Sequence, residues 1–110
     1  MKLEQTTMLT YKTITASEAL ELVSNIHDTV IIDVRTRDEF NETPIIGAFN
    51  FPLYEMLELL ENHEFEPNRT IIVHCQSGHR SQIAAQALTY VGYTNINAVS
   101  EDLVAFLYKS

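Results

Sequence analysis

The chain predicts a doubly wound α/β domain, a central, mostly parallel, five-stranded sheet with helices on both faces. Three observations lead there. Residues 29–34 and 70–74 are short apolar runs rich in β-branched side chains, continuous rather than alternating, as in strands covered on both faces. Two capping boxes, Thr15-Ala16-Ser17-Glu18 and Thr36-Arg37-Asp38-Glu39, mark helix starts around the first of these runs. Residues 81–91 then carry an amphipathic helical pattern closed by Gly92, a natural residue for the turn after a helix.

Taken in order, Tyr11–Ile14 is the first strand, and Thr15 caps a helix with Ala19, Leu20, Leu22, Val23 and Ile26 on one face. Residues 29–34 are the second strand, and Thr36 opens a short turn of helix behind it. Residues 48–51 make a third, brief strand. Leu53 to Glu61 spaces leucines at helical intervals among acids, with Leu57, Leu59 and Leu60 as core. The fourth strand is 70–74, followed by the helix 81–91 with Ile83, Ala84, Ala87, Leu88 and Val91 inward. Residues 95–99 form the fifth strand. Ser100-Glu101-Asp102 caps a last helix with two acids in its first turn, where the helix dipole favours them. No repeat, low-complexity tract or Gly/Ser linker interrupts the pattern, so 1–110 is expected to be a single domain with its core at about 11–108.

Composition excludes several function classes. Fifteen acidic against seven basic residues give a formal charge of −8, which repels nucleic acid phosphates and anionic membrane surfaces. Residues 1–7 lack the apolar core of a signal peptide, and no apolar run approaches a bilayer span. With one cysteine there is no internal disulfide, and a cytoplasmic location is expected. The four histidines and the cysteine show no metal-ligand spacing, so no metal is expected.

Chemistry concentrates in Val73-His74-Cys75-Gln76-Ser77-Gly78-His79-Arg80-Ser81, which runs from a strand into a helix. Open α/β sheets bind ligands at the carboxyl ends of their strands, which is where these residues stand. The strand delivers Cys75 to the sheet edge, and a short loop brings backbone N–H groups round to its sulfur. The positive end of the next helix and the charge of Arg80 act in the same sense, and all three favour thiolate over thiol. The same cradle suits a persulfide anion or an oxyanion. Gly78 permits the positive φ of a tight loop. Ser81 is placed to donate to loop carbonyls or to the sulfur, or to cap the helix. An inert buried cysteine is the plainer alternative, but the polar loop, the arginine and the helix start argue against it. His74 is expected to end its strand with its ring hydrogen-bonded. His79 either draws in anionic donors or fills solvent space. Asp33 either pairs with Arg80 or caps the helix after Thr36, and Arg35 is a scaffold or rim residue.

These residues resemble the rhodanese family. Its active-site loop has the form Cys-x-x-Gly-x-Arg-Ser, matched by Cys75, Gly78, Arg80 and Ser81. Asp33-Val34-Arg35, followed by a short acidic helix to Phe40, matches a second family feature. Ile45-Ile46-Gly47-Ala48-Phe49-Asn50-Phe51-Pro52 matches a third, and the Ala-Ala-x-x-Leu-x-x-x-Gly-Tyr-x-x-Ile pattern from Ala84 to Ile96 a fourth. The resemblance runs in register from about Ile14 to Phe106. It implies a rhodanese-like fold and a persulfide shuttle. Cys75 is then the nucleophile, Gln76, Ser77, Gly78, His79 and Arg80 with Ser81 the binding loop, and Asp33 and Arg35 supporting residues. The donor is thiosulfate or a thiol persulfide, the acceptor cyanide or a thiol, and no metal or organic cofactor is required. The chain departs from the family pattern at Thr43-Pro44, where Gly-His is common. It departs again at Glu101-Asp102 and Phe106, where Gly-Gly and a tryptophan are common. The glycine loss is expected to disturb the final turn, because acidic residues do not readily take the angles glycine allows.

Two other readings compete. Cysteine-dependent phosphatases and arsenate reductases share the His-Cys opening, but their loop is one residue longer between cysteine and arginine. Here only Gln76, Ser77, Gly78 and His79 intervene, a cradle better sized for one sulfur atom than for phosphate. A non-turnover sulfur relay or interaction module, handing the persulfide to one protein, is the other. The chain is expected to work as a monomer or weak homodimer. Its acidity predicts that thiosulfate is a poor donor and that a protein or small-thiol persulfide serves better. A low micromolar thiosulfate KM at low salt would contradict this.

Overall fold

The computed structural model describes residues 10–63 and 65–108; the 1–7 segment considered for a leader lies outside them. The elements are β1 (Tyr11–Ile14), α1 (Ala16–Asn25), β2 (Val30–Asp33), α2 (Arg37–Glu42), β3 (Phe49–Asn50), a 3₁₀ turn (Leu53–Glu55), α3 (Met56–Leu60), β4 (Ile71–His74), α4 (His79–Tyr90), β5 (Ile96–Val99) and α5 (Leu103–Leu107). The five strands lie in the order β1-β5-β4-β2-β3. All four pairings are parallel, so the sheet is parallel throughout rather than mostly so.

Strand β4 sits at the centre, and all four of its residues are buried. That is why its sequence is continuously apolar until the histidine: neither face meets water. Side chains alternate along it, so Val73 and Cys75 face one core and Ile72 and His74 the other. The first core joins Ile32, Val73 and Cys75 to Met56, Leu60 and the Ala84, Ala85 and Leu88 side of α4. The second joins Ile14, Ile72 and Val99 to Ala16 and Ala19 of α1 and Leu103 and Val104 of α5.

Helix α4 starts two residues earlier than its amphipathic pattern suggested, and it buries Ser81, Ala84, Ala85 and Leu88. Ile83 and Val91 are exposed. Small side chains let α4 lie close on the sheet, and this close approach outweighs the larger apolar residues on its flank. Of the leucines expected in the core, Leu60 is buried and Leu59 packs against it, whereas Leu57 is exposed.

Both capping boxes form. Thr15 Oγ1 accepts from Glu18 N–H at 3.1 Å while Glu18 Oε1 accepts from Thr15 N–H at 2.8 Å, and Thr36 and Glu39 repeat this. The two acids before α5 divide their work. Asp102 is its N-cap, accepting from Ala105 N–H at 3.0 Å, and Glu101 reaches back to accept from Ala16 N–H at 2.8 Å. No non-glycine among the described residues has positive φ, so the Glu101-Asp102 turn needs none of the freedom that its loss of glycine would have removed. No described helix is long and apolar enough to cross a membrane.

Candidate active site

Every strand being parallel, the loops that follow β2 and β4 and the turn after β3 meet at one edge of the sheet. Cys75 stands there directly after β4, fully buried. Its Sγ accepts from the backbone N–H groups of Gly78, at 3.0 Å, and of Ser81, at 3.1 Å. Gly78 is the N-cap of α4 and has no side chain to offer the helix. The sulfur therefore takes up amide donors that a capping oxygen would otherwise satisfy. The loop turns through Gly78 at φ +88°, against the backbone of Ser100. The Ser81 hydroxyl lies 3.0 Å from Gly78 O and 2.9 Å from Val99 O, tying loop to β5. Of the roles open to Ser81, donation to carbonyls is thus its hydroxyl's, and the sulfur is met by its N–H. Gln76, Ser77 and His79 are exposed, and His79 opens α4 rather than lying within the loop.

The charged residues are arranged differently from expectation. Asp33 pairs neither with Arg80 nor with the α2 N-terminus but with Arg35, Nη2 to Oδ2 at 2.7 Å, with both partners buried. Arg35 Nε also lies 3.0 Å from each Asp33 oxygen, and its other nitrogens donate to Thr43 Oγ1 at 2.7 Å and Thr43 O at 2.8 Å. Arg35 is thus scaffold, clamping the chain after α2 to the end of β2. Asn50 finishes the clamp, its Nδ2 donating to Asp33 O at 3.1 Å and Arg35 O at 3.0 Å. Arg80, expected to act on the sulfur, turns both terminal nitrogens to Glu39, at 2.9 and 3.1 Å. The Arg80 hydrogen bond, then that from Thr36 N–H, holds the Glu39 carboxyl down at about 2. The Arg80 guanidinium is raised in turn, first by the same bond. The sequence marks Glu39 only as the second half of a capping box. The usable signal was that a capping box fixes this carboxylate at the start of α2, on the edge where Arg80 also stands.

Over residues 15–109 the chain matches the family model of the rhodanese-like domain. It belongs to the rhodanese-like family. Among curated relatives, thiosulfate sulfurtransferase GlpE of Coxiella burnetii is 35% identical over 86 residues, covering 78% of each chain. Thiosulfate sulfurtransferase PspE of Escherichia coli is 34% identical over 65 residues, covering 59% of this chain and 62% of PspE. This chain thus spans less than two thirds of the length of PspE. The human single-domain sulfurtransferase TSTD1 shares the fold with a TM-score of 0.72 at 23% identity, over 89% of this chain and 97% of that one. The two curated relatives are themselves named thiosulfate sulfurtransferases.

Beneath the loop of this rhodanese-like domain lies His74, fully buried, with neither ring nitrogen hydrogen-bonded. The hydrogen-bond partner expected for its ring is not there: His74 lies on the face of β4 shared with Ile72, and both of its ring nitrogens are buried without a partner. Burial above all pushes its pKa down from 6.5 to about 4, with Asp33 opposing and Arg35 assisting. The unfolded chain therefore takes up the proton first. Stability is full above about pH 6.5 and is lost as pH falls toward 4, by roughly 3 kcal/mol. The Glu39 contribution is lost only lower, between 4.5 and about 2. Urea unfolding of wild type and His74→Phe at pH 7.5 and 5 measures this: the wild type should weaken more on acidification than the variant. Equal pH dependence would show that His74 is not the group responsible. Among the described residues, no three His, Cys, Asp or Glu side chains gather as metal ligands would.

Proposed function

We propose that the protein is a sulfurtransferase that carries sulfane sulfur as a persulfide on Cys75. The observation that carries this reading is the convergence of the Gly78 and Ser81 N–H groups on Sγ at the positive end of α4. Such a cradle stabilises negative charge that develops on Sγ as it attacks the donor and as it leaves the persulfide.

In the first half-reaction the Cys75 thiolate attacks the outer sulfur of the donor. The new S–S bond forms as the donor's own breaks. Its electron pair leaves with sulfite when the donor is thiosulfate, or with a thiolate when it is a thiol persulfide. In the second, cyanide or an acceptor thiolate attacks the outer sulfur, and the electron pair of the broken bond returns to Cys75. No net oxidant, metal or organic cofactor enters the balance. Gln76 and Ser77 of the loop and His79 at the start of α4 are the exposed side chains available to touch donor and acceptor, while Arg80 is held by Glu39. Asp33 and Arg35 fix the neighbouring turn after β2. A lone thiol that must stay reduced fits the cytoplasm.

Intact mass after incubation with thiosulfate, or with the persulfide of cysteamine, tests the reading. A gain of one sulfur, ~32 Da, removed by cyanide and absent in Cys75→Ser, is expected. No adduct from either donor overturns it. The complete burial of Cys75 favours a second reading, a relay that loads readily but releases sulfur only to a docked partner protein. Persulfide that forms quickly yet survives millimolar cyanide would select the relay.

A further inference from the structure

Three arginines follow the carboxyl ends of β2 and β4, at the edge of the sheet where Cys75 stands, and a carboxylate holds each one. Arg35 is paired with Asp33, Arg37 with Glu55 and Arg80 with Glu39. The Arg80 pair matters most. Both terminal nitrogens of Arg80, in the first turn of α4 directly after the loop, are spent on Glu39, so its charge is neutralised before any donor arrives. Against the loop, at Gln76, lies a polar recess of about 330 Å³ whose lining includes Glu39, Glu42 and Asp102. Among the described residues, Glu42 and Asp102 have no ion-pair partner. Asp102 stands where the family commonly has glycine. A donor approaching this loop thus meets compensated arginines and excess negative charge, in a recess large enough for a small thiol.

We propose that Glu39, Glu42 and Asp102 select the sulfur donor by charge, disfavouring dianionic thiosulfate and favouring persulfides of neutral or amine-bearing thiols. This rests on the persulfide reading of Cys75. Glu42 and Asp102 act directly on the approaching donor. Glu39 is a positioning residue that acts through Arg80, because releasing the guanidinium would supply the cation that a dianion needs. The chemistry is the same transfer as before. An S–S bond forms between Cys75 and the outer sulfur as the donor's one S–S bond breaks, and the thiolate that leaves with the electron pair carries a compensating ammonium away from an acidic recess. Coulomb forces in a partly enclosed recess reach a donor before contact, so the effect falls on the loading rate and shrinks with salt.

The test compares loading of Cys75 by three donors: thiosulfate, the persulfide of cysteamine and the persulfide of mercaptopropionate. The two persulfides share their chemistry and differ in the sign of the flanking charge. Each is followed by rapid-quench mass spectrometry at about 10 mM and about 500 mM salt, which span weak and strong screening. The variants are Glu39→Gln, which keeps the capping box, Asp102→Asn, which keeps the N-cap, and Glu42→Gln on the surface. In wild type the cysteamine persulfide should load roughly tenfold faster than the mercaptopropionate persulfide at low salt, with thiosulfate slower still. The gap should narrow at high salt and in Glu42→Gln/Asp102→Asn. Glu39→Gln should raise the thiosulfate rate most. Loading that occurs equally fast from both persulfides, or a ratio that neither salt nor the variants move, overturns charge selection while leaving the sulfurtransferase reading intact. No loading from any donor overturns both.

Discussion

Replacing Arg35 by methionine is expected to lower the unfolding free energy by about 3–5 kcal/mol, a large share of the stability of a domain this size. The cost comes from what is left behind. Asp33 is fully buried, and the Arg35 side chain supplies three of the four hydrogen bonds to its carboxylate, from Nε to both oxygens and from Nη2. The fourth is the Arg35 backbone N–H at 3.0 Å, which survives the substitution but cannot neutralise a carboxylate. The Thr43 carbonyl and hydroxyl lose their donors at the same time. Desolvation of a charge is expensive only while the charge persists, so removing both members should cost far less than removing one. Asp33→Leu/Arg35→Met is therefore expected to recover most of the loss. Urea midpoints give the comparison. The single variant should fall by roughly 2 M and the double by well under half of that. A single variant within about 1 kcal/mol of wild type would mean that Asp33 finds another partner or water, and that the clamp is not essential.

The order of strands and helices was legible because each signal was strong and local. Continuous β-branched runs in β2 and β4, two reciprocal capping boxes and a glycine after α4 leave little choice of element type. The limits of α4 were less legible. Its first turn, His79 and Arg80, is polar and carries no capping side chain, so nothing in the pattern marks a start; the acceptor there is the sulfur of Cys75. The loop sequence located the candidate site for the same reason that it is chemically unusual: few segments put a cysteine, a glycine and an arginine between strand and helix. Pairing among the charged residues could not be read. Asp33, Arg35, Glu39 and Arg80 all reach one edge, and which carboxylate meets which guanidinium depends on ångström-scale geometry that spacing does not encode. Asn50 shows the opposite case, a motif residue whose position was matched but whose work, bridging two carbonyls of the Asp33–Arg35 turn, became visible only in three dimensions.

Gly78→Ala should abolish persulfide formation in practice, slowing loading by about 10²- to 10³-fold, the scale of losing preorganised donors to an anion. Two separate costs meet at this position. At φ +88° any side chain is strained, and a Cβ added here would lie 2.5 Å from Ser100 O and 2.9 Å from its carbonyl carbon. The obstacle is backbone at the end of β5, itself pinned by Ser100 N–H to Ile14 O at 2.9 Å, so β5 cannot give way without disturbing β1. The loop must move instead, and it carries the two N–H groups that reach Sγ. Gly47 separates the two effects. It has the same φ of +88° but nothing within 4 Å of its added Cβ, so Gly47→Ala bears the strain alone. That variant should lose about 1–2 kcal/mol of stability and load sulfur at the wild-type rate. Gly78→Ala should be less stable than Gly47→Ala and should differ from it in loading by at least about tenfold. Matched stability and matched loading in the two variants would show that Ser100 does not confine the loop, and that the amide cradle tolerates a shift of its backbone.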